Sequence, residues 1–132
     1  MKATKHPKGD PMKLLKAFVR GDHVGKVVRA LEQARAPGIT VSIVRGVGYD
    51  FDARLLDPRV FPLLSADELS RCPEVAKVEV VCSDEDADRL LAAVVAAART
   101  GGSGDGIVFV TAVERAVKVR TGEEGAQVFT RP

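Results

Sequence analysis

The chain has 132 residues, of which 45% are hydrophobic and 29% charged, and these values predict one soluble globular domain. It contains no apolar run long enough to cross a membrane, and its first residues lack the apolar stretch of a signal peptide, so we expect a cytoplasmic protein with no direct membrane insertion. The net charge is +2, but residues 1–13 carry +3 and the remainder −1. This imbalance argues against nucleic-acid binding by the domain.

The first residues differ in composition from the rest of the chain. Residues 1–11 hold two prolines and a glycine among lysines without a periodic apolar pattern, which predicts a flexible tail, followed by one domain over residues 12–132.

The first half of the domain predicts a strand, a helix and a second strand. Residues 14–19 are mostly apolar and short, as in a buried strand, and Asp22 follows at the expected N-cap of a helix. Pro37 and Gly38 end that helix, and the alternating β-branched residues 39–48 predict the second strand. The apolar positions at helical spacing are Val24, Val27, Val28, Leu31 and Ala34.

The second half repeats this plan. Residues 76–82 predict a strand, Ser83 and the three acidic residues after it predict a capped helix start, and Gly101 is the predicted end of the helix. Residues 107–113 predict a further strand. Two such units predict an α+β fold of the ferredoxin-like double βαβ type, with a four-stranded antiparallel sheet and both helices on one face. The open face of such a sheet needs a cover, which oligomerisation would provide.

A long segment over residues 49–75 separates the two halves. It contains three prolines and only weak periodicity, and loops of this length are uncommon in compact domains unless they are functional. Its apolar residues either pack back on their own domain or form a surface that docks on a partner.

Two short motifs near the C-terminus could bind an anion. The segment GGSGDG at residues 101–106 could turn several backbone amides toward an anion, with Asp105 bracing the turn. Lys118 and Arg120 would project from one face of an extended segment and suit a polyphosphate. A simple connecting turn and a solvated strand edge are the alternatives.

We find no sequence pattern that indicates an enzyme. The two histidines lie in or near the tail, and neither Cys72 nor Cys82 has a histidine nearby in the sequence. Both cysteines are expected to be reduced thiols with a packing role, and neither a disulfide framework nor a metal site is expected.

Three segments together resemble the PII signal-transduction proteins. They are MKLLKAFVR at residues 12–20, GITVSIVRGVG at residues 38–48 and, above all, AARTGGSGDGIVFVTAVERAVKVRTGEEG at residues 97–125. The resemblance implies a homotrimer with three inter-subunit clefts that bind adenine nucleotides. It also implies that residues 49–75 form a T-loop that docks on regulated proteins.

The resemblance also implies a set of site residues. One subunit would provide Gly46 and Gly48 at the base of the T-loop, Val81 against adenine, and Gly104, Asp105 and Gly106 at the phosphates. Glu79 would face the adenine edge. The neighbouring subunit would provide Phe18, Gly38, Ile39 and Thr40 near the base and Lys118 and Arg120 toward the phosphates. The implied effector region of the T-loop includes Tyr49, Asp50, Arg54, Arg59 and Phe61.

Several positions depart from the family pattern. Asp50 replaces a glutamine that helps to hold magnesium and 2-oxoglutarate in nitrogen-sensing members, and Val75 replaces a lysine at the far base of the loop. Gly102 and Ile107 replace two lysines that follow the glycine turns. The sequence therefore predicts a divergent PII-like regulator that favours ADP or AMP over ATP.

The sequence leaves three alternatives for the physiological role. The first is a carboxysome- or bicarbonate-associated regulator whose second ligand is a small anion such as bicarbonate and whose target is a membrane transporter or a carbon-metabolism protein. The second is a nitrogen-regulatory PII protein that binds ATP and 2-oxoglutarate. The third is a trimeric metal-tolerance protein of the CutA type.

Overall fold

The computed structural model describes residues 11–46, 48–49 and 65–129. In chain order, the elements are β1 (Met12–Arg20), a 3-10 turn (Gly21–His23), α1 (Val24–Gln33), β2 (Thr40–Arg45), α2 (Ala66–Ser70), β3 (Glu74–Ser83), α3 (Asp84–Ala98), β4 (Gly106–Val113) and a C-terminal 3-10 turn (Ala126–Phe129).

The four strands form one antiparallel sheet in the order β2-β3-β1-β4. The two inner strands pair along their whole length, from Met12 opposite Ser83 to Arg20 opposite Val75. Each inner strand comes from a different half of the chain, which is the ferredoxin-like arrangement. The predicted α+β fold is therefore confirmed.

The core lies between this sheet and the two long helices, because alternate strand residues point to opposite faces. The burial pattern of β1 shows this alternation, with Leu15, Ala17 and Val19 buried on the helix side. Helix α1 contributes Val27 and Leu31 to the same core. The remaining core side chains come mainly from β3 and α3: Ala76, Val78, Val80, Cys82, Ala87, Leu90, Val94 and Ala98.

The starts of the two helices differ from their predicted caps. Asp22 lies within the 3-10 turn, where its carboxylate accepts a hydrogen bond from Arg20 and lies 3.0 Å from the ring of His23, so it does not cap α1. Ser83 is the residue before α3, as predicted, but its hydroxyl donates to the Asp86 carboxylate and does not accept from a backbone amide.

Strand β2 and helix α3 both end earlier than predicted. Strand β2 spans Thr40–Arg45 and is shorter than the predicted residues 39–48. Helix α3 ends at Ala98, three residues before Gly101, because the chain is already extended at Arg99.

The second part of the predicted long loop contains a short helix that the sequence reading missed. Ser65 caps α2 by accepting a hydrogen bond from the Glu68 amide, and the Glu68 carboxylate accepts one from the Ser65 amide. This reciprocal pair is a capping box, whose Ser-x-x-Glu pattern was present in the sequence. Residues 66–70 of the segment between β2 and β3 are therefore helical.

The described helices include none that is long and apolar enough to span a membrane.

Candidate functional site

A cavity of about 500 Å³ opens beside β1, β2 and β3 at the end of the sheet near the C-terminal turn. Its lining residues are Leu14, Pro37, Gly38, Thr40, Glu79, Val81, Lys118, Val128 and Phe129.

Strand pairing explains why the residues from the sheet lie together. Leu14 is opposite Val81, and Thr40 is opposite Glu79, so all four side chains lie on the open face of the sheet. The first pair provides an apolar surface and the second provides a hydroxyl and a carboxylate. The cavity can therefore contact both flat apolar and hydrogen-bonding groups of a ligand.

The Glu79 carboxylate lies between two lysines. Its Oε2 is 4.0 Å from the Lys16 ammonium, and its Oε1 is 3.9 Å from the Lys77 ammonium. Carboxylate oxygens of this kind accept hydrogen bonds. Glu79 thus provides a hydrogen-bond acceptor at the cavity wall.

Lys118 reaches the cavity from a turn. Its amide donates to the Glu123 carbonyl at 2.8 Å, and its carbonyl accepts from the Gly122 amide at 2.7 Å. The chain turns at residues 119–121, so the predicted extended segment with Lys118 and Arg120 on one face was wrong. The turn places Lys118 in the cavity lining and leaves Arg120 exposed outside it.

Five of the implied nucleotide residues line this one cavity: Gly38, Thr40, Glu79, Val81 and Lys118. The resemblance assigned Val81 and Gly38 to different subunits of a cleft, and within one chain both residues line the same cavity. Ile39 packs against the hydrophobic core instead.

The glycine-rich turn lies elsewhere, at the start of β4. The carboxylate of Asp105 accepts hydrogen bonds from the amides of Thr100 at 2.8 Å and Gly101 at 2.9 Å, so Asp105 braces the turn as predicted. A hydrogen bond from the Thr100 hydroxyl, together with these two from the backbone, lowers the pKa of the Asp105 carboxyl. Because the Gly102 amide donates to the Thr100 hydroxyl oxygen, two glycine amides of the turn are already used internally.

Gly104 and Gly106 both have positive φ angles, +95° and +109°. Gly106 and Asp105 line a second cavity of about 330 Å³ between α3 and β4, together with the side chain of Arg99. Within one chain, the glycine-rich turn is thus separate from the cavity that Lys118 lines.

Two contacts beside the end of β2 and the start of β3 close the base of the predicted T-loop. The Gly46 amide donates to the Pro73 carbonyl at 3.1 Å, and the Arg45 guanidinium donates to the Cys72 carbonyl at 3.0 Å. These contacts hold the two ends of the intervening segment together. Asp50, Arg54, Arg59 and Phe61, which the resemblance placed in the effector region, lie outside the described residues.

Three aromatic rings cluster on the open face of the sheet beside this base. The Tyr49 ring lies 6.5 Å from Phe18 and 5.6 Å from Phe109, and the last two are 6.1 Å apart. Gly48 and Tyr49 both have positive φ angles, +83° and +51°. Phe18 therefore contacts the base of the loop and does not line the cavity around Gly38.

Four residues of the cavity were not predicted. Leu14 could have been found, because strand alternation places it on the face of Val81 and Lys16. Pro37 was recognised only as a helix breaker. Val128 and Phe129 lie at the end of the chain, where no motif marks them.

The structure also bears on metal binding. Across residues 11–46, 48–49 and 65–129, no group of three or more histidine, cysteine or acidic side chains is arranged to hold a metal ion.

Comparison with known proteins identifies the family. The family described as "Nitrogen regulatory protein P-II" matches residues 12–123. The chain belongs to the P-II family. Proteins of this family are trimeric regulators that bind small effector molecules and control partner proteins.

Individual relatives agree with this assignment. The chain is 36% identical over 118 residues to nitrogen regulatory protein P-II 2 of Methanothermobacter thermautotrophicus, covering 86% of this chain and 94% of that one. It is 34% identical over 116 residues to nitrogen regulatory protein P-II of Microchaete diplosiphon, covering 88% and 98%. Among solved structures, Arabidopsis thaliana PII bound to citrate matches with a TM-score of 0.68 and 26% identity, covering 92% of this chain and 93% of that one.

Proposed function

We propose that this P-II family protein is a homotrimeric sensor of adenine nucleotides that regulates a partner protein through residues 49–75. The single observation that carries the proposal is the cavity lined by Gly38, Thr40, Glu79, Val81 and Lys118. It combines an apolar surface for a base, a carboxylate acceptor for an exocyclic amine and a lysine for phosphate, which together suit an adenine nucleotide.

The trimer would complete this site from a second subunit. In one chain the glycine turn around Asp105 lies apart from the cavity around Lys118. In the proposed assembly, the turn of one subunit faces the cavity of its neighbour, so that both contact the phosphates. Light scattering should then show three chains per particle, and a stable monomer in native buffer would contradict this mechanism.

The available charges favour ADP or AMP over ATP. Lys118 is the one cation among the described residues that line the cavity, and Gly102 and Ile107 supply no charge at the glycine turn. Each missing charge-assisted hydrogen bond is worth roughly 1.5–3 kcal/mol. The γ-phosphate should therefore gain little beyond the β-phosphate.

A small anion is the proposed second ligand, and bicarbonate is our first candidate because Asp50 is unsuited to the 2-oxoglutarate role of a glutamine. The citrate named for the Arabidopsis structure is consistent with anion binding in this fold. A nitrogen-regulatory protein that binds ATP and 2-oxoglutarate is the second candidate, favoured by the names of the relatives. The metal-tolerance alternative is not retained, because the family match is to P-II.

Calorimetric titration distinguishes the two candidates. AMP, ADP and ATP are titrated into the full chain with and without magnesium, bicarbonate and 2-oxoglutarate. ADP or AMP binding at least as tight as ATP binding, and strengthened by bicarbonate, supports the first candidate. Tight magnesium-dependent ATP binding that 2-oxoglutarate strengthens would support the second and identify Asp50 as compatible with a magnesium site.

A variant pair locates the binding site. Lys118→Ala should weaken ADP binding by roughly tenfold, because it removes a charge-assisted bond to phosphate. Lys26→Ala, at an exposed position of α1 outside the cavity, is the matched control with the same loss of charge. Equal ADP affinity in both variants would place the site elsewhere.

A further inference from the structure

The end of the chain forms part of the cavity wall. Val128 and Phe129 line the cavity, and both lie beyond residues 12–123, the part that the family match covers. This part of the cavity wall therefore lies outside the residues that match the family.

This C-terminal turn is held in place by the chain just before it. The Val128 amide donates to the Gly125 carbonyl at 3.1 Å, and the Gly125 amide donates to the Ala116 carbonyl at 3.0 Å. The Gln127 side chain donates to the Glu124 carbonyl, and Glu124 pairs with Arg115 at 2.6 Å. These bonds position Phe129 on the same folded segment as Lys118.

Phe129 differs in its surroundings from the other described aromatic rings. Phe18, Tyr49 and Phe109 contact one another on the open face of the sheet. Among the described residues, Phe129 is the one aromatic side chain that lines the cavity, together with the aliphatic Leu14, Val81 and Val128. An aromatic ring contacts the flat face of a base well, and this interaction is strongest for large planar bases.

We propose that Phe129 is a base-contacting residue that gives the cavity its preference for a purine. Phe129 packs against the face of the base on the apolar side of the cavity, while Lys118 of the same segment binds phosphate. This inference rests on the proposed nucleotide function and assigns the selectivity of that site to the C-terminal turn.

The test compares ADP with CDP, which carry the same phosphates and different bases. Phe129→Ala should weaken ADP binding by roughly tenfold, the size expected when one ring that stacks on a base is removed, and should weaken CDP binding less. Phe129→Tyr should retain the affinity for ADP, because the ring is kept. Val119→Ala is the control, since Val119 lies in the same segment but is 98% exposed and outside the cavity.

The outcomes separate this proposal from the one on which it depends. If the native chain binds no adenine nucleotide, the proposed function fails. If the native chain binds ADP and Phe129→Ala binds it equally well, only the role of Phe129 is overturned. An equal loss for ADP and CDP would also overturn it, because Phe129 would then not distinguish a purine from a pyrimidine. Urea unfolding of each variant checks that the fold is intact.

Discussion

The α-carbon of Gly106 lies against the main chain of Phe18, in the adjacent strand β1. A β-carbon at position 106 would overlap the Phe18 carbonyl oxygen and stand 2.9 Å from its carbonyl carbon, and the φ angle of +109° disfavours any L side chain. The close contact with Phe18 and the positive φ angle both disfavour any residue larger than glycine at the start of β4.

Gly106→Ala should therefore lower the free energy of unfolding by roughly 3 kcal/mol, because backbone strain and overpacking act together. Gly104→Ala is the matched control: its φ is +95°, but a β-carbon there would have no heavy atom within 4 Å. It should cost only about 1–2 kcal/mol from strain. Urea unfolding measures both values, and equal losses would show that the contact with Phe18 can relax.

The glycine-rich turn should depend on the charge of Asp105. Asp105→Asn should reduce the hydrogen-exchange protection of the Thr100 and Gly101 amides, because the carboxylate is their acceptor. Ser103→Ala, at an exposed position of the same turn, is the control and should leave both amides protected. Unchanged exchange in Asp105→Asn would show that another group holds the turn.

The same turn should respond to pH in a defined direction. The pKa of Asp105 is lower in the folded chain than the ordinary carboxyl value, so its contribution to stability is fully present above about pH 4 and is lost as the pH falls through the folded pKa. Protection of the Thr100 and Gly101 amides should accordingly fall only in acid. Loss of protection at neutral pH would contradict this assignment.

The N-cap serines of α2 and α3 should differ in their contribution to stability. Ser65 accepts a hydrogen bond from the Glu68 amide at 3.1 Å, whereas Ser83 makes no such bond to the backbone. Ser65→Ala should lower the free energy of local opening of α2 by about 1 kcal/mol. Ser83→Ala should lower that of the start of α3 by less. Hydrogen exchange of the first turn of each helix compares them, and a larger effect at Ser83 would reverse the prediction.

Cys82 should resist alkylation in the folded chain. Its side chain is fully buried, and burial, aided by the negative charge of Asp86, raises the pKa of its thiol to about 11. In Cys72→Ala, where Cys82 is the remaining cysteine, iodoacetamide at pH 8 should label it only after denaturation. Rapid labelling of the native variant would indicate that α3 opens readily from the sheet.

Periodicity was sufficient to predict the main elements but not all local structure. Residues 76–82 were predicted to be a strand and Ser83 to precede a helix, and the structure confirms both elements. The five residues of α2 are too few for a periodic pattern, although the pair Ser65 and Glu68 carried the capping signal. Lys118 and Arg120 were placed wrongly because a spacing of two residues occurs in turns as well as in strands.

The candidate cavity was less predictable than the sheet. Gly38, Thr40, Glu79, Val81 and Lys118 were named because the chain resembles a known family, and the fold brings them together. Phe129 had no comparable signal, since its place depends on how the end of the chain packs against β3. Side chains from segments distant in the sequence meet there only after the sheet has formed.

The strand order also affects when the protein can fold during its synthesis. The first strand, β1, lies between β3 and β4, and Met12 is opposite Val113 near the end of the chain. A nascent chain that has emerged only as far as α1 has no partner strand for either edge of β1. Both edges of β1 are therefore open to mispairing with other chains until β3 has left the ribosome, and the edge that pairs with β4 stays open until β4 has also emerged.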